Sequence, residues 1–187
     1  MTIAVLAVQG AFLEQEKILE SLGAEVIELR KAEDLEKPFD GLVLPGGEST
    51  VQGKLLRELG MFDKLQEKIA SGLPVLATCA GLILLADNLA NDTHSYFGTL
   101  PVTVKRNAYG RLLGCFFHEG EVEGIGEYPM VFIRAPYIES AKDSVKVLSS
   151  VEDKIVAVEY ENQIGLAFHP ELTEDTRIHE HFLAKCS

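Results

Sequence analysis

The sequence predicts an α/β fold, a three-layer sandwich with a mostly parallel sheet and antiparallel extensions. Three observations carry the prediction. The first half alternates continuous apolar runs with helical stretches, the pattern of parallel strands covered on both faces and joined by right-handed crossovers. The second half holds short strand-like runs with few helical signals between them, which suits antiparallel pairing. The 187 residues are 47% hydrophobic and 25% charged, an ordinary composition for one sizeable core. No repeat, low-complexity segment or linker interrupts the chain, so a single domain over residues 1–187 is expected.

The elements follow in order. Ile3 to Val8 is an apolar run that reads as a buried strand. Ala11 to Leu22 carries apolar residues at 11, 12, 18, 19 and 22, a helical stripe, and Gly23 follows as its stop. Ala24 to Leu29 and Asp40 to Leu44 are the second and third strands, the latter closed by Pro45-Gly46-Gly47. Phe62, Leu65 and Ile69 mark a helix, and Pro74 to Thr78 is a fourth buried strand. Ala80 to Leu89 reads as an apolar helix starting directly after it. Beyond it, Pro101 to Lys105, Gly114 to Val122, Met130 to Ile133, Val145 to Ser150, Lys154 to Tyr160 and Gln163 to Phe168 are strand candidates. Thr173 is placed to cap a last helix with Ile178 and Phe182 on its inner face.

Composition excludes several classes of function. A formal net charge of −12 argues against nucleic acid or an anionic membrane as main ligand, since both reward Lys and Arg. The cysteines Cys79, Cys115 and Cys186 are odd in number and fit no zinc spacing, so neither a disulfide framework nor a structural metal is indicated. A reducing cytoplasm fits this usage. Met1 to Val8 lacks the basic leader and cleavage site of a signal peptide, and no apolar stretch is long enough to span a bilayer. His179 and His181 stand two apart on a predicted helix and do not share a face, which argues against a metal site there.

The chemistry concentrates in three segments. Pro74-Val-Leu-Ala-Thr-Cys-Ala-Gly-Leu82 puts Cys79 on a sharp strand-to-helix turn, the layout of a nucleophile elbow. Such a turn lifts the side chain out at the carboxyl end of a strand, where open α/β sheets bind ligands, and a helix N-terminus there favours an anionic sulfur. A cysteine nucleophile wants a base and an orienting group. His169-Pro170-Glu171 follows an apolar strand; extended residues two apart point to one side, so Glu171 can fix the His169 tautomer. Leu44-Pro-Gly-Gly-Glu-Ser-Thr50 lets backbone N–H groups approach a substrate oxygen, with Gly47 and Ala80 as the two halves of an oxyanion hole. The loop is no phosphate-binding P-loop, because Lys54 is followed by Leu55 in place of Ser or Thr. Gly124-Ile-Gly126 fails as a dinucleotide fingerprint because Pro129 stands where the third Gly belongs.

Gly-Gly loop, Cys elbow and His-x-Glu, in that order, resemble the class I or triad glutamine amidotransferases. Leu6-Ala-Val-Gln-Gly-Ala11, Arg106-Asn-Ala-Tyr-Gly-Arg111, Phe132-Ile-Arg-Ala-Pro136 and Phe168-His-Pro-Glu-Leu-Thr173 narrow the likeness to the glutaminase subunits of pyridoxal 5′-phosphate synthases. It runs from residue 3 to about residue 183. The resemblance implies a flavodoxin-like core and hydrolysis of L-glutamine to L-glutamate and ammonia. It implies that Cys79 is the nucleophile, His169 the acid and base, and Glu171 its orienting partner. It also implies that Gly47, Glu48, Ser49, Arg106, Ile133 and Arg134 bind glutamine. The implied partner is a barrel-shaped synthase subunit that receives the ammonia, and the glutaminase itself needs no cofactor. The chain departs from the family pattern at Ala77, where the elbow usually has Gly, and between Leu112 and His118. Cys115, within that second departure, is expected in the core.

Three rival readings belong beside this one. They are a glutaminase serving another synthase, such as imidazole glycerol phosphate synthase, a Cys-elbow hydrolase or deglycase of the same broad fold, and a regulatory subunit with a dead site.

Overall fold

In this structure, a computed structural model that describes residues 1–90, 92–106 and 115–187, the apolar runs of the first half become neighbouring parallel strands. They are β1 (Thr2–Leu6), β2 (Glu25–Leu29), β3 (Gly41–Leu44) and β4 (Val75–Thr78). The second half supplies β5 (Ala86–Leu89), β6 (Leu100–Lys105), β9 (Tyr137–Ala141), β10 (Lys146–Val151), β11 (Lys154–Tyr160) and β12 (Gln163–Leu166) to the same sheet. The order across it is β2-β1-β3-β4-β12-β11-β9-β6-β5, with β10 also paired to β11. β12 lies parallel to β4, in register Gly165 to Ala77 and Leu166 to Thr78. From there outward β11, β9 and β6 pair antiparallel. β7 (Cys115–Val122) and β8 (Gly126–Ile133) form a separate antiparallel ribbon.

Every residue of β3, β4 and β12 is buried, as expected of strands covered on both faces. The helices are α1 (Phe12–Ser21), α2 (Ser49–Glu58), α3 (Phe62–Ala70), α4 (Ala80–Leu85) and α5 (Arg177–Cys186). α1 packs on β1 and β2, and α4 on β3, β4 and β12. Short 3-10 helices stand at Ala32–Glu36 and Pro170–Leu172.

Several expectations need correction. The helix predicted over Ala80 to Leu89 stops at Leu85, and Ala86–Leu89 is β5, parallel to β6. All six residues of α4 are buried, so the apolar run has no periodicity to separate helix from strand. Asp87 and Asn88 are weak helix formers whose side chains compete for backbone groups. α2 escapes prediction because its buried face holds Ser49, Gln52 and Gly53 with a single Leu56. β9 gives no strand signal strong enough to predict. The strand read to Phe168 ends at Leu166, although the Ala167 N–H still donates to the Val156 carbonyl at 2.8 Å. Thr173 does not cap the last helix. Its hydroxyl binds the Pro170 carbonyl, and α5 begins at Arg177, whose N–H donates to Asp175. Gly114, where the β7 run was expected to start, lies outside the described residues.

Candidate active site

β4 ends in the turn that carries Cys79. Cys79 has φ 50° and ψ −103°, a left-handed conformation that a residue with a Cβ adopts only under constraint, at a cost of about 1–3 kcal/mol. The constraint is visible. The Cys79 N–H donates to the Leu166 carbonyl of β12 at 2.8 Å. The Cys79 carbonyl accepts from the Ile83 N–H at 3.3 Å, which closes the first turn of α4. Gly81 lies so close to β3 that a Cβ there would collide with the Leu44 carbonyl. Ala77, the departure from the expected elbow, is fully buried between Leu44 and Gly165. The sharp turn expected of this segment is therefore present.

The Gly-Gly loop passes directly over the turn. A Cβ on Gly46 would run into the His169 ring and would lie 3.5 Å from the Cys79 Cβ. Gly10, at φ 101°, seats against the Gly46 carbonyl with no room for a side chain. Gln9 accepts the Glu48 N–H at 2.8 Å, and Gln52 donates to the Gln9 and Pro45 carbonyls. Gly47 and Glu48 are exposed and Ser49 is buried at the start of α2. Gly46 and Ala80 both adjoin Cys79. The loop thus brings backbone, at Gly46, against both His169 and Cys79.

His169 leaves β12 and is held by its own N–H, which donates to the Val131 carbonyl of β8 at 2.8 Å. The expected extended backbone gives way to the 3-10 turn Pro170–Leu172. The pairing still forms: His169 Nδ1 lies 2.5 Å from Glu171 Oε1. Both side chains are buried. Burial by itself pushes the His169 pKa down, but hydrogen bonds to Cys79 and Glu171 and their negative charges outweigh it and lift the value from 6.5 to about 10. The imidazole is therefore a cation at neutral pH, held between a sulfur and a carboxylate. That arrangement can deliver a proton to a leaving group and take one back from water.

The other oxygen of Glu171 leads to residues the sequence reading missed. Gln15 Nε2 donates to Glu171 Oε2 at 3.1 Å, and His179 Nε2 lies 2.7 Å from Gln15 Oε1. Gln15 and His179 are both fully buried. A signal was present: Gln15 sits inside the apolar stripe of α1, and His179 neighbours Ile178 on the inner face of α5. A polar residue in a core stripe needs a buried partner.

The remaining predicted residues divide. The Cys79 sulfur lies 3.9 Å from the Ile133 carbonyl oxygen, which brings Ile133 to the site. Arg134 follows at φ 45° with an exposed side chain. Arg106 is not shown beside the sulfur. It donates to the Tyr96 hydroxyl at 3.2 Å and pairs with Asp92 at 3.8 Å. Tyr96 covers Gly53 of α2, where a Cβ would strike its ring, so Arg106 lies near the helix that Ser49 opens. The rest of the Arg106-to-Arg111 segment, and Leu112 to Gly114, lie outside the described residues. Cys115 is a correction: it is exposed, because the β7–β8 ribbon leaves one face of β7 open. His181 bonds Glu159, away from His179. Among the described residues no cluster of His, Cys, Asp or Glu is arranged to hold a metal ion.

Comparison with known proteins adds three findings. A profile of the SNO glutamine amidotransferase family matches residues 5–187. The chain is 63% identical over 187 residues to a pyridoxal 5′-phosphate synthase subunit PdxT of Desulfitobacterium hafniense (strain Y51), covering 100% of this chain and 94% of that protein. It is 49% identical over 189 residues to the subunit of the same name from Streptococcus pneumoniae (strain ATCC 700669 / Spain 23F-1), covering 100% and 98%. Among solved structures, a glutamine amidotransferase superposes with a TM-score of 0.93 at 41% identity, covering 98% of both chains. That superposition bears out the three-layer α/β fold with a mostly parallel central sheet. PurLQS of Thermotoga maritima, at 16% identity and TM-score 0.63, shares the fold alone.

Proposed function

The chain belongs to the SNO glutamine amidotransferase family, and from that premise we propose that it is the glutaminase subunit of a pyridoxal 5′-phosphate synthase. The reading is carried by one observation: a strained, buried Cys79 faces an imidazole that Glu171 holds at 2.5 Å, and Cys79 and Glu171 together raise the pKa of that imidazole. The relatives, named pyridoxal 5′-phosphate synthase subunit PdxT, support this choice of synthase.

In this reading the Cys79 sulfur attacks the side-chain amide carbon of glutamine. The Gly47 and Ala80 N–H groups receive the oxygen as it becomes anionic. His169 gives its proton to the departing nitrogen, ammonia leaves, and a glutamyl thioester remains on Cys79. His169, now neutral, removes a proton from water; the hydroxide adds to the thioester, and glutamate departs as the sulfur regains its negative charge. Glu171 keeps Nε2 of His169 toward the chemistry by holding Nδ1. Gly47, Glu48, Ser49, Ile133 and Arg134 bind the amino-acid part of glutamine, with Arg106 answering its α-carboxylate. The ammonia passes to the barrel-shaped synthase subunit. No cofactor enters this chemistry, and the assembly works in the cytoplasm. Among the described residues no helix is long and apolar enough to cross a membrane.

The test is a glutaminase assay with and without the synthase subunit. Ammonia release should be slow for the isolated chain and rise on assembly. Cys79→Ala should abolish it in the complex; retained turnover would sink the mechanism. Capture by another synthase with matching activation would redirect the assignment to that pathway.

A further inference from the structure

Beyond Glu171, a line of hydrogen bonds continues through buried side chains. From Glu171 it crosses to Gln15 on α1 and ends at His179 on α5. We infer that Gln15, oriented by His179, is a positioning residue that locks the Glu171 carboxylate, and through it the catalytic imidazole, in the productive geometry. This rests on the triad reading given above.

The direction of each bond follows from donor chemistry. An ionised carboxylate only accepts, so the amide end facing Glu171 Oε2 at 3.1 Å is the NH₂ of Gln15. The carbonyl end then faces His179 at 2.7 Å, and His179 must donate from Nε2. Its Nδ1 is left as an acceptor, and among the described residues that atom is buried without a partner. Burial holds His179 neutral, with its pKa pulled from 6.5 to about 4, so its one N–H goes to Gln15. Among the described residues the second Gln15 amide hydrogen has the Thr78 hydroxyl, at 3.5 Å. Nothing in this order can be reversed without setting a carbonyl against a carboxylate.

Cost argues against a mere seam filler. Gln15 and His179 are both 0% exposed. A contact between two helices and a turn is built more cheaply from Leu or Phe than from an amide and an imidazole with an orphaned nitrogen. The polar pair makes sense if what it holds is the Glu171 carboxylate. With both oxygens engaged, one by His169 and one by Gln15, that carboxylate has no freedom to turn away from the imidazole.

The experiment is steady-state glutamine hydrolysis by the chain assembled with its synthase subunit. It compares wild type with Gln15→Met, His179→Phe, His179→Gln and Cys79→Ala, each checked for folding by thermal melting. Gln15→Met and His179→Phe should lower kcat about tenfold or more with KM unchanged, the scale of one hydrogen bond to a charged group. Both should move the alkaline limb of the kcat/KM profile down by roughly one pH unit, because a looser Glu171 no longer holds the imidazolium. His179→Gln places an amide N–H near the lost imidazole N–H and should restore most of kcat. Wild-type kcat and an unmoved alkaline limb in folded Gln15→Met would overturn the relay. So would equal losses in His179→Gln and His179→Phe without a shifted limb, which mark a packing role. If Gln15→Met does not fold, the two His179 variants decide. Activity surviving in Cys79→Ala would overturn the triad reading and the relay with it, whereas an inactive Cys79→Ala beside an unaffected Gln15→Met would overturn the relay alone.

Discussion

His179 carries a stability signature as well as an orienting bond. Its folded pKa is depressed from 6.5 to about 4 by burial, so between those values the unfolded chain takes up a proton that the folded chain refuses. The stability it contributes is whole above pH 6.5 and is lost as pH falls through that window, by roughly 3 kcal/mol in all. Urea unfolding across the window should show a shallower decline for His179→Gln than for wild type, by up to one proton in the slope. Equal slopes would mean that His179 does not titrate as its burial demands. The triad was legible because its residues stand in short contiguous segments with one chemical meaning each. Gln15 and His179 were not, because each makes sense only through the other, and they meet across almost the whole chain. Arg106 was legible as a cation but not in its placement, since a local sequence does not reveal that Tyr96 and Asp92 already engage it.

Among the elements, the turn between β4 and α4 is tightly constrained. It works because β3 and α4 approach at Gly81, where a Cβ would meet the Leu44 backbone carbonyl and not a flexible side chain. Gly81→Ala should therefore cost about 1–3 kcal/mol, the scale of overpacking a tight interior, and should lower the melting temperature while also displacing Cys79. A variant as stable as wild type would show that the backbone there can yield. The parallel strands were readable from continuous apolar runs, since burial on both faces leaves little room for polar residues. α2 and β5 were not. α2 buries Ser49, Gln52 and Gly53, which carry no hydrophobic period. β5 continues an apolar stretch in which helix and strand look alike until pairing with β6 decides.

At the scale of the whole molecule, a net charge of −12 makes electrostatics part of any assembly. If the chain docks on a synthase subunit as proposed, a basic patch on that partner should meet it. The dissociation constant should then rise with ionic strength as screening shortens from about 10 Å at 0.1 M to about 3 Å at 1 M salt. Affinity unchanged by salt, measured by calorimetry, would assign the contact to apolar surface. The order of the sheet has a different kind of consequence. β12, which delivers His169, slots between β4 and β11, yet it is the last strand to be synthesised. While the chain grows on the ribosome, Cys79 emerges long before His169, Glu171 and α5. A growing chain therefore carries Cys79 with neither His169 nor Glu171 beside it, and the three side chains meet only once β12 has entered its place beside β4.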